Sequence, residues 1–268
     1  MTEPLCPEWS AIPKPVIGML HLPALPGSPG YGGDLDAIRR HVLNDAKALK
    51  AGGVHGLMLE NFGDVPFFAD TVPAHTLTHM TALALAVREA VDLPLGINVL
   101  RNDGLAALAI AHAVGASYIR VNVLSGASLT DQGVITGKAA QIMRYRKQIS
   151  AEHIKVLADV RVKHAAPIAE RPLDEEVDEL VKRAAADALI VSGTGTGRPT
   201  NPAELSAVKR FSSGAPVLVG SGATPQTLPQ LSQADGFIVG SGFKAGGDTS
   251  RPIDPERVEA FMRAAQAV

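Results

Sequence analysis

Eight short apolar runs recur along this chain, and a stretch of helical periodicity follows each of them. The runs cover residues 16–21, 54–61, 95–100, 118–123, 154–160, 188–192, 216–220 and 236–240. Each has the length and β-branched content of a buried strand rather than a helix. Strands separated by helices pair in parallel, and eight such units are the count of a closed (β/α)8 barrel. Barrels of this kind commonly take about 250 residues as one domain, and the chain has 268. The expectation is a single-domain (β/α)8 TIM barrel over residues 1–268, with residues 1–13 as a Pro-rich leader. An open doubly wound sheet would carry a glycine fingerprint after its first strand. The segment Leu22-Pro-Ala-Leu-Pro-Gly-Ser-Pro-Gly-Tyr-Gly-Gly33 has no G-x-G-x-x-G opening a helix.

The first helix shows how each unit is punctuated. Asp34 can cap it, Leu35, Ile38, Val42, Ala46 and Leu49 recur at helical spacing, and Gly52-Gly53 stop it. Later helices are expected at 76–90, 104–114, 137–150, 174–186, 202–211, 225–233 and 255–267. Composition narrows the class further. Hydrophobic residues make up 46% of the chain, ample for a large core, which excludes disorder. The net charge is −2 with no Lys/Arg block, so nucleic acid is not the expected partner. The N-terminus lacks the basic and apolar regions of a signal peptide, and no run reaches the roughly 18–20 apolar residues of a membrane span. These features predict a cytoplasmic protein. Its one cysteine, Cys6, reads as an incidental surface thiol in the leader.

In a parallel barrel, alternate strand residues face the helices and the others face the axis. Val156, Ala158, Val160 and Val162 form an outward set, which turns Lys155, Leu157, Asp159 and Arg161 inward. Ile119, Val121 and Val123 likewise leave Arg120 and Asn122 inward. The same reading puts His21, Glu60 or Asn61, Asn98 and Ser192 near the strand ends. Those ends form the face where barrel enzymes keep their chemistry. His21, Glu60, Asn98, Asn122 and Asp159, with His164 after the fifth strand, are therefore the candidate catalytic residues. Glu60 and Asp159 could transfer protons or hold a divalent metal. Lys155 could form a Schiff base, but its place at the start of its strand makes it a bottom-rim lysine.

Two sequences near the C-terminus nearly repeat: Val217-Leu-Val-Gly-Ser-Gly222 and Phe237-Ile-Val-Gly-Ser-Gly242. Glycines at a strand end let the backbone approach an anion, and a helix N-terminus behind each turn would add unpaired N–H groups. A pair of such turns after the last two strands is the phosphate cup of many barrels. Gly220, Ser221, Gly222, Gly240, Ser241 and Gly242 are the candidate phosphate-binding residues. Gly193, Thr194 and Gly195 of the loop Gly193-Thr-Gly-Thr-Gly-Arg-Pro-Thr200 join them, with Arg198 as a further anion contact. The partner expected is a small phosphorylated substrate. The long segments 22–33, 62–74, 161–172 and 193–201 all follow strands, as functional loops should; the second carries Phe67-Phe68, a lid anchor, a subunit contact or a pair packed on the barrel's own surface. His75-Thr-Leu-Thr-His79 lacks the glutamate of a zincin and reads as a helix start.

The segment Pro15-Val-Ile-Gly-Met-Leu-His-Leu-Pro-Ala-Leu-Pro-Gly-Ser-Pro29 resembles the opening signature of the BtpA/SgcQ family. Further matches are Gly56-Leu-Met-Leu-Glu-Asn-Phe-Gly-Asp64, Gly96-Ile-Asn-Val-Leu-Arg-Asn-Asp103, Tyr118-Ile-Arg-Val-Asn-Val123 and Ala158-Asp-Val-Arg-Val-Lys-His164. Arg161 departs from the histidine or related polar residue the family pattern leads one to expect. The resemblance implies a ribulose-phosphate-binding type of barrel. The family's name also implies a non-catalytic assembly factor for a membrane complex such as photosystem I, while the mouth residues themselves point to an isomerase, lyase or hydrolase of a phosphorylated sugar-like or ribosyl compound. Barrels of this size often form homo-oligomers, which the sequence leaves open.

Overall fold

The computed structural model of the chain describes residues 4–193, 195 and 199–268. Thr194 and Arg198 lie outside the described residues. In chain order the strands are β1 (Val16–His21), β2 (Gly56–Glu60), β3 (Leu95–Asn98), β4 (Tyr118–Val121), β5 (Ala127–Thr130), β6 (Gly133–Thr136), β7 (Lys155–Val160), β8 (Ala165–Pro167), β9 (Ala188–Val191), β10 (Val217–Val219) and β11 (Gly236–Val239). Eight of them close a parallel barrel in the order β1-β11-β10-β9-β7-β4-β3-β2. These are the eight apolar runs with their ends trimmed. The other three, β6-β5-β8, form a small antiparallel sheet in the loops after β4 and β7. That hairpin was not expected. Its turn is set by Gly133, with φ of 93°, and by Thr130 Oγ1, which donates to the Gly133 carbonyl at 2.9 Å.

The helices are α1 (Leu35–Ala51), α2 (Ala74–Ala90), α3 (Gly104–Val114), α4 (Ala139–Gln148), α5 (Leu173–Asp178), α6 (Pro202–Phe211) and α7 (Pro255–Ala265). Asp34 caps α1 by accepting from Ala37 N at 2.8 Å, and Ile38, Val42, Ala46 and Leu49 are its buried stripe. Asp103, Asn201 and Asp254 cap α3, α6 and α7 in the same way. The α-helix expected at 225–233 does not form, and only a 3-10 turn, Leu228–Leu231, occupies the space. Pro229 has no N–H to return to the Pro225 carbonyl. Thr224 and Thr227 also bond each other's backbone N–H groups, at 2.9 and 3.2 Å, in competition with a helix.

Apolar packing has two layers. Outward strand residues such as Val16, Leu20, Val156, Ala158 and Val219 meet the helices. Inside the barrel, Ile17, Met19, Met58, Tyr118, Leu157, Ile190, Leu218 and Ile238 fill the lower half. Gly96 makes room for the Tyr118 ring, since a Cβ there would lie 2.0 Å from Tyr118 Cε2. Cys6 is not a surface thiol. It is wholly buried with Trp9 in this inner cluster, where the leader plugs the barrel floor. Trp9 Nε1 donates to the His55 carbonyl at 2.7 Å and fixes the plug. Burial is the chief reason the Cys6 thiol is pushed up to about 12.

Candidate active site

The pleat that sends Ile17 and Met19 inward on β1 also sends His21 inward, one step nearer the C-terminal mouth. Register then sets its neighbours: His21 pairs with Glu60, Glu60 with Asn98, and Asn98 with Arg120. All four are buried. The floor is apolar, so these polar groups line only the top of the barrel.

Asp159 and Glu60, a pair in the sequence reading, have different surroundings. The Asp159 carboxylate accepts from Arg120 Nε (2.9 Å) and Nη2 (2.7 Å), Asn122 Nδ2 (2.8 Å) and Ser192 Oγ (3.3 Å). Asn98 Nδ2 braces this group by donating to the Arg120 carbonyl at 3.2 Å. A bidentate, fully buried carboxylate of this kind is a fixed element of the wall. Glu60 accepts no hydrogen bond from the described residues. Burial, the leading cause, raises its pKa, against the opposing charges of Arg120, Lys163 and Arg101. His21 Nε2 lies 3.7 Å from Glu60 Oε1. Burial, with Lys244, Lys163 and Arg120 nearby, lowers the imidazole to about 3, so the ring is neutral and the contact is not an ion pair. Its face rests on Phe62, with ring centroids 4.6 Å apart, and its Nδ1 is buried without a partner among the described residues.

The two Gly-Ser-Gly turns close the other side. A small cleft of about 60 Å³ is lined by His21, Glu60, Arg120 and Lys163 on one flank and by 220–224 and 240–242 on the other. The expected helix N-termini are not behind these turns: a 3-10 turn follows the first, and α7 begins only at Pro255 after the second. The N–H groups come from the turns themselves. Those of Ser221, Gly222, Ala223 and Gly240 donate to no described residue. Gly222 turns through φ of 68°, and a Cβ on Gly240 would lie 2.8 Å from His21 Cε1. The glycine–threonine loop is tied alongside. Ser221 Oγ donates to the Gly195 carbonyl at 3.3 Å, and Thr200 Oγ1 to the Ser221 carbonyl at 2.9 Å. Gly193 is buried at the start of that loop. A buried ion pair anchors the second turn from behind: Lys244 Nζ bonds Asp45 on α1, whose other oxygen accepts from Ile253 N at 2.9 Å.

Several sequence-predicted residues have other positions. Arg161 is not inward. β7 ends at Val160, the backbone turns left-handed at Arg161 (φ 52°), and its guanidinium bonds Glu176 at 2.9 and 3.1 Å. His164 (φ 57°) is exposed on the same loop and outside the cleft lining. Asn61 bonds the Leu100 backbone instead of facing the axis. Lys155 stands at the bottom of β7, as expected. Among the described residues no group of three or more His, Cys, Asp or Glu is arranged to hold a metal ion. Asp159 is engaged by a guanidinium and Glu60 is surrounded by cations, a donor set that does not fit a divalent metal. No helix among the described residues is long and apolar enough to cross a membrane.

Two cations near the mouth, Lys163 in the cleft lining and Arg101 behind it, escaped the sequence reading. Lys163 and Arg101 lie beyond the ends of β7 and β3, where strand alternation no longer predicts direction. Arg101 is buried and donates through Nη2 to the Lys163 carbonyl at 2.6 Å. The only sequence signal for either was its place within a family-like motif.

Residues 12–267 match the model of the BtpA family. A protein of Thermococcus kodakarensis is 46% identical over 256 residues, 94% of this chain and 95% of its own length. The photosystem I biogenesis protein BtpA of Synechocystis is 45% identical over 252 residues, 94% of this chain and 88% of its own. Similar solved structures include phosphoribosyl anthranilate isomerase from Thermus thermophilus, with a TM-score of 0.56 and 14% identity over 94% of this chain and 98% of that one. Orotidine 5'-phosphate decarboxylase from Pyrococcus horikoshii has a TM-score of 0.56 and 15% identity, covering 94% and 100%. At these identities the structural likeness carries the fold.

Proposed function

This chain belongs to the BtpA family, and we propose that it is an enzyme acting on a small phosphorylated, sugar-like metabolite by proton transfer. The observation that carries this reading is one cleft with unpaired turn N–H groups on one flank and the His21–Glu60 pair on the other. Unpaired backbone donors at a strand-end turn form a concave anion site. A phosphate seated there would put the rest of a small ligand against His21, Glu60 and Lys163. The Glu60 carboxyl, its pKa raised by burial, and the His21 imidazole beside it are the groups placed to exchange a proton with the ligand. An acid and a base side by side suit isomerisation next to a carbonyl, or cleavage of a bond beside it. The Arg120–Asp159–Asn122 network holds the wall rigid. Phosphorylated substrates in the names of the structural neighbours are consistent with this reading.

A thermal-shift titration with inorganic phosphate and a panel of sugar phosphates tests it. Phosphate should raise the melting temperature of the wild type, and Ser241→Asp should abolish that rise by placing a carboxylate in the cup. Glu60→Gln should keep the rise and lose turnover. No stabilisation by any phosphate compound would overturn the reading.

The assembly-factor reading has one observation in its favour besides the name of the Synechocystis relative. The antiparallel sheet beside the mouth exposes Leu129 and Val134, directly paired across β5 and β6, and Ile168 follows β8. An intact polar mouth is not needed by a scaffold, so the enzyme is favoured.

A further inference from the structure

The cations around the cleft differ in how they are engaged. Arg120 is held by Asp159 through two hydrogen bonds, Lys244 by Asp45, and Arg101 by the Lys163 carbonyl. The Lys163 ammonium, which lines the cleft, has no hydrogen-bond or ion-pair partner among the described residues. Lys163 is half-buried, and a desolvated lysine kept only for structure is normally paired.

The backbone is built around this side chain. Arg161 and His164, on either side of the segment that carries it, both adopt left-handed φ, 52° and 57°. Left-handed conformations are unfavourable for non-glycine residues. Their effect is to turn the chain back over the mouth after β7 ends, while Arg101 pins the Lys163 carbonyl. Arg120 and Arg101 disfavour the charged ammonium, against the opposing pull of Glu60 and Asp159. Burial and then Arg120 lower the Lys163 pKa. A neutral amine is a nucleophile, whereas an ammonium is only a charge.

We propose that Lys163 is an imine-forming nucleophile, whose Nζ condenses with the carbonyl carbon of a phosphorylated ketone or aldehyde held in the mouth. The proposal rests on the phosphate-site reading above and names the reacting group of the substrate. The nitrogen lone pair forms the N–C bond while the carbonyl π pair moves to oxygen, which takes the proton of Glu60. One nitrogen proton then returns to the Glu60 carboxylate. Glu60 next protonates the hydroxyl, which leaves as water while the nitrogen lone pair closes the C=N bond. The net change is amine plus carbonyl plus one proton giving iminium plus water, with no oxidant or reductant. Glu60 is left as a carboxylate beside the iminium. It is then the base for the adjacent carbon, and the iminium is the sink for the electron pair released there. Hydrolysis returns the amine.

The test is reductive trapping on the full chain. The protein is incubated with dihydroxyacetone phosphate and sodium cyanoborohydride, digested, and mapped by mass spectrometry, with and without excess inorganic phosphate. The expected result is a reduced adduct on Lys163 that phosphate suppresses. Lys163→Arg has no amine to condense with a carbonyl, and should keep its fold and its stabilisation by phosphate while losing the adduct. Adducts confined to other lysines, or insensitive to phosphate, would overturn the imine while phosphate stabilisation left the anion site standing. Absence of phosphate stabilisation in the wild type would overturn both.

Discussion

Asp159→Asn separates a wall residue from a reacting one. The side chain keeps its shape but loses the charge that compensates Arg120, whose guanidinium is 3% exposed. Removing one partner of a buried, hydrogen-bonded ion pair costs about 3–5 kcal/mol, because the remaining charge stays buried. Unfolding entropy of about 2.1 cal/mol/K per residue, over 268 residues, gives about 0.6 kcal/mol/K at the midpoint. The melting temperature should therefore fall by about 5–9 °C. Calorimetry at neutral pH measures this directly. Replacing both partners, Arg120→Leu with Asp159→Leu, should recover part of the loss, since an apolar pair leaves no stranded charge. Glu60→Gln should differ in sign: its carboxyl accepts no bond from the described residues, so the neutral amide should be tolerated or stabilising above acidic pH. If Asp159→Asn melts with the wild type yet loses ligand binding, Asp159 is a free site carboxylate and the description of it as a locked wall residue is wrong.

Other consequences can be measured separately. His21 titrates near 3 in the folded chain and near the ordinary 6.5 when unfolded, so between these values the unfolded state binds more protons. Stability should rise with pH across that window and fall on acidification, and His21→Leu should flatten the slope relative to wild type in melts run from acidic to neutral pH. Glu60 has the opposite sign: its folded pKa is raised, so its burial destabilises increasingly as pH climbs past the unfolded carboxyl range, a trend Glu60→Gln should remove. Gly240→Ala should push the imidazole aside through the 2.8 Å contact, seen as a shifted His21 resonance and lost ligand response. Cys6, fully buried with a thiol pKa of about 12, should resist thiol reagents until the protein is denatured.

The barrel was legible because its strands carry two interleaved codes. Val156, Ala158 and Val160 on one phase and Leu157 and Asp159 on the other leave only one arrangement that buries the apolar set. The same alternation brought His21, Glu60, Asn98, Arg120, Asn122 and Asp159 to one mouth. Beyond the strand ends the code stops, and there the reading failed. Arg161 leaves the mouth because the backbone turns left-handed, and Lys163 returns to it for the same reason. The missing helix at 225–233 has a local cause in Pro229 and the Thr224–Thr227 bonds. Asp159 and Glu60 looked alike in sequence because nothing along a strand tells which carboxylate a neighbouring arginine will take.

The leader at the barrel floor bears on the order of folding. Cys6 and Trp9 belong to one inner cluster with Leu157, Ile190, Leu218 and Ile238, the last of these on the final strand. Contacts that span nearly the whole chain form late, because the closure entropy of a long loop must be met first. During synthesis the leader emerges first and waits for β11 before it has a floor to seal. Its docking is therefore a marker of completed closure, and Trp9, the one tryptophan of the chain, is an intrinsic fluorescent reporter of that event.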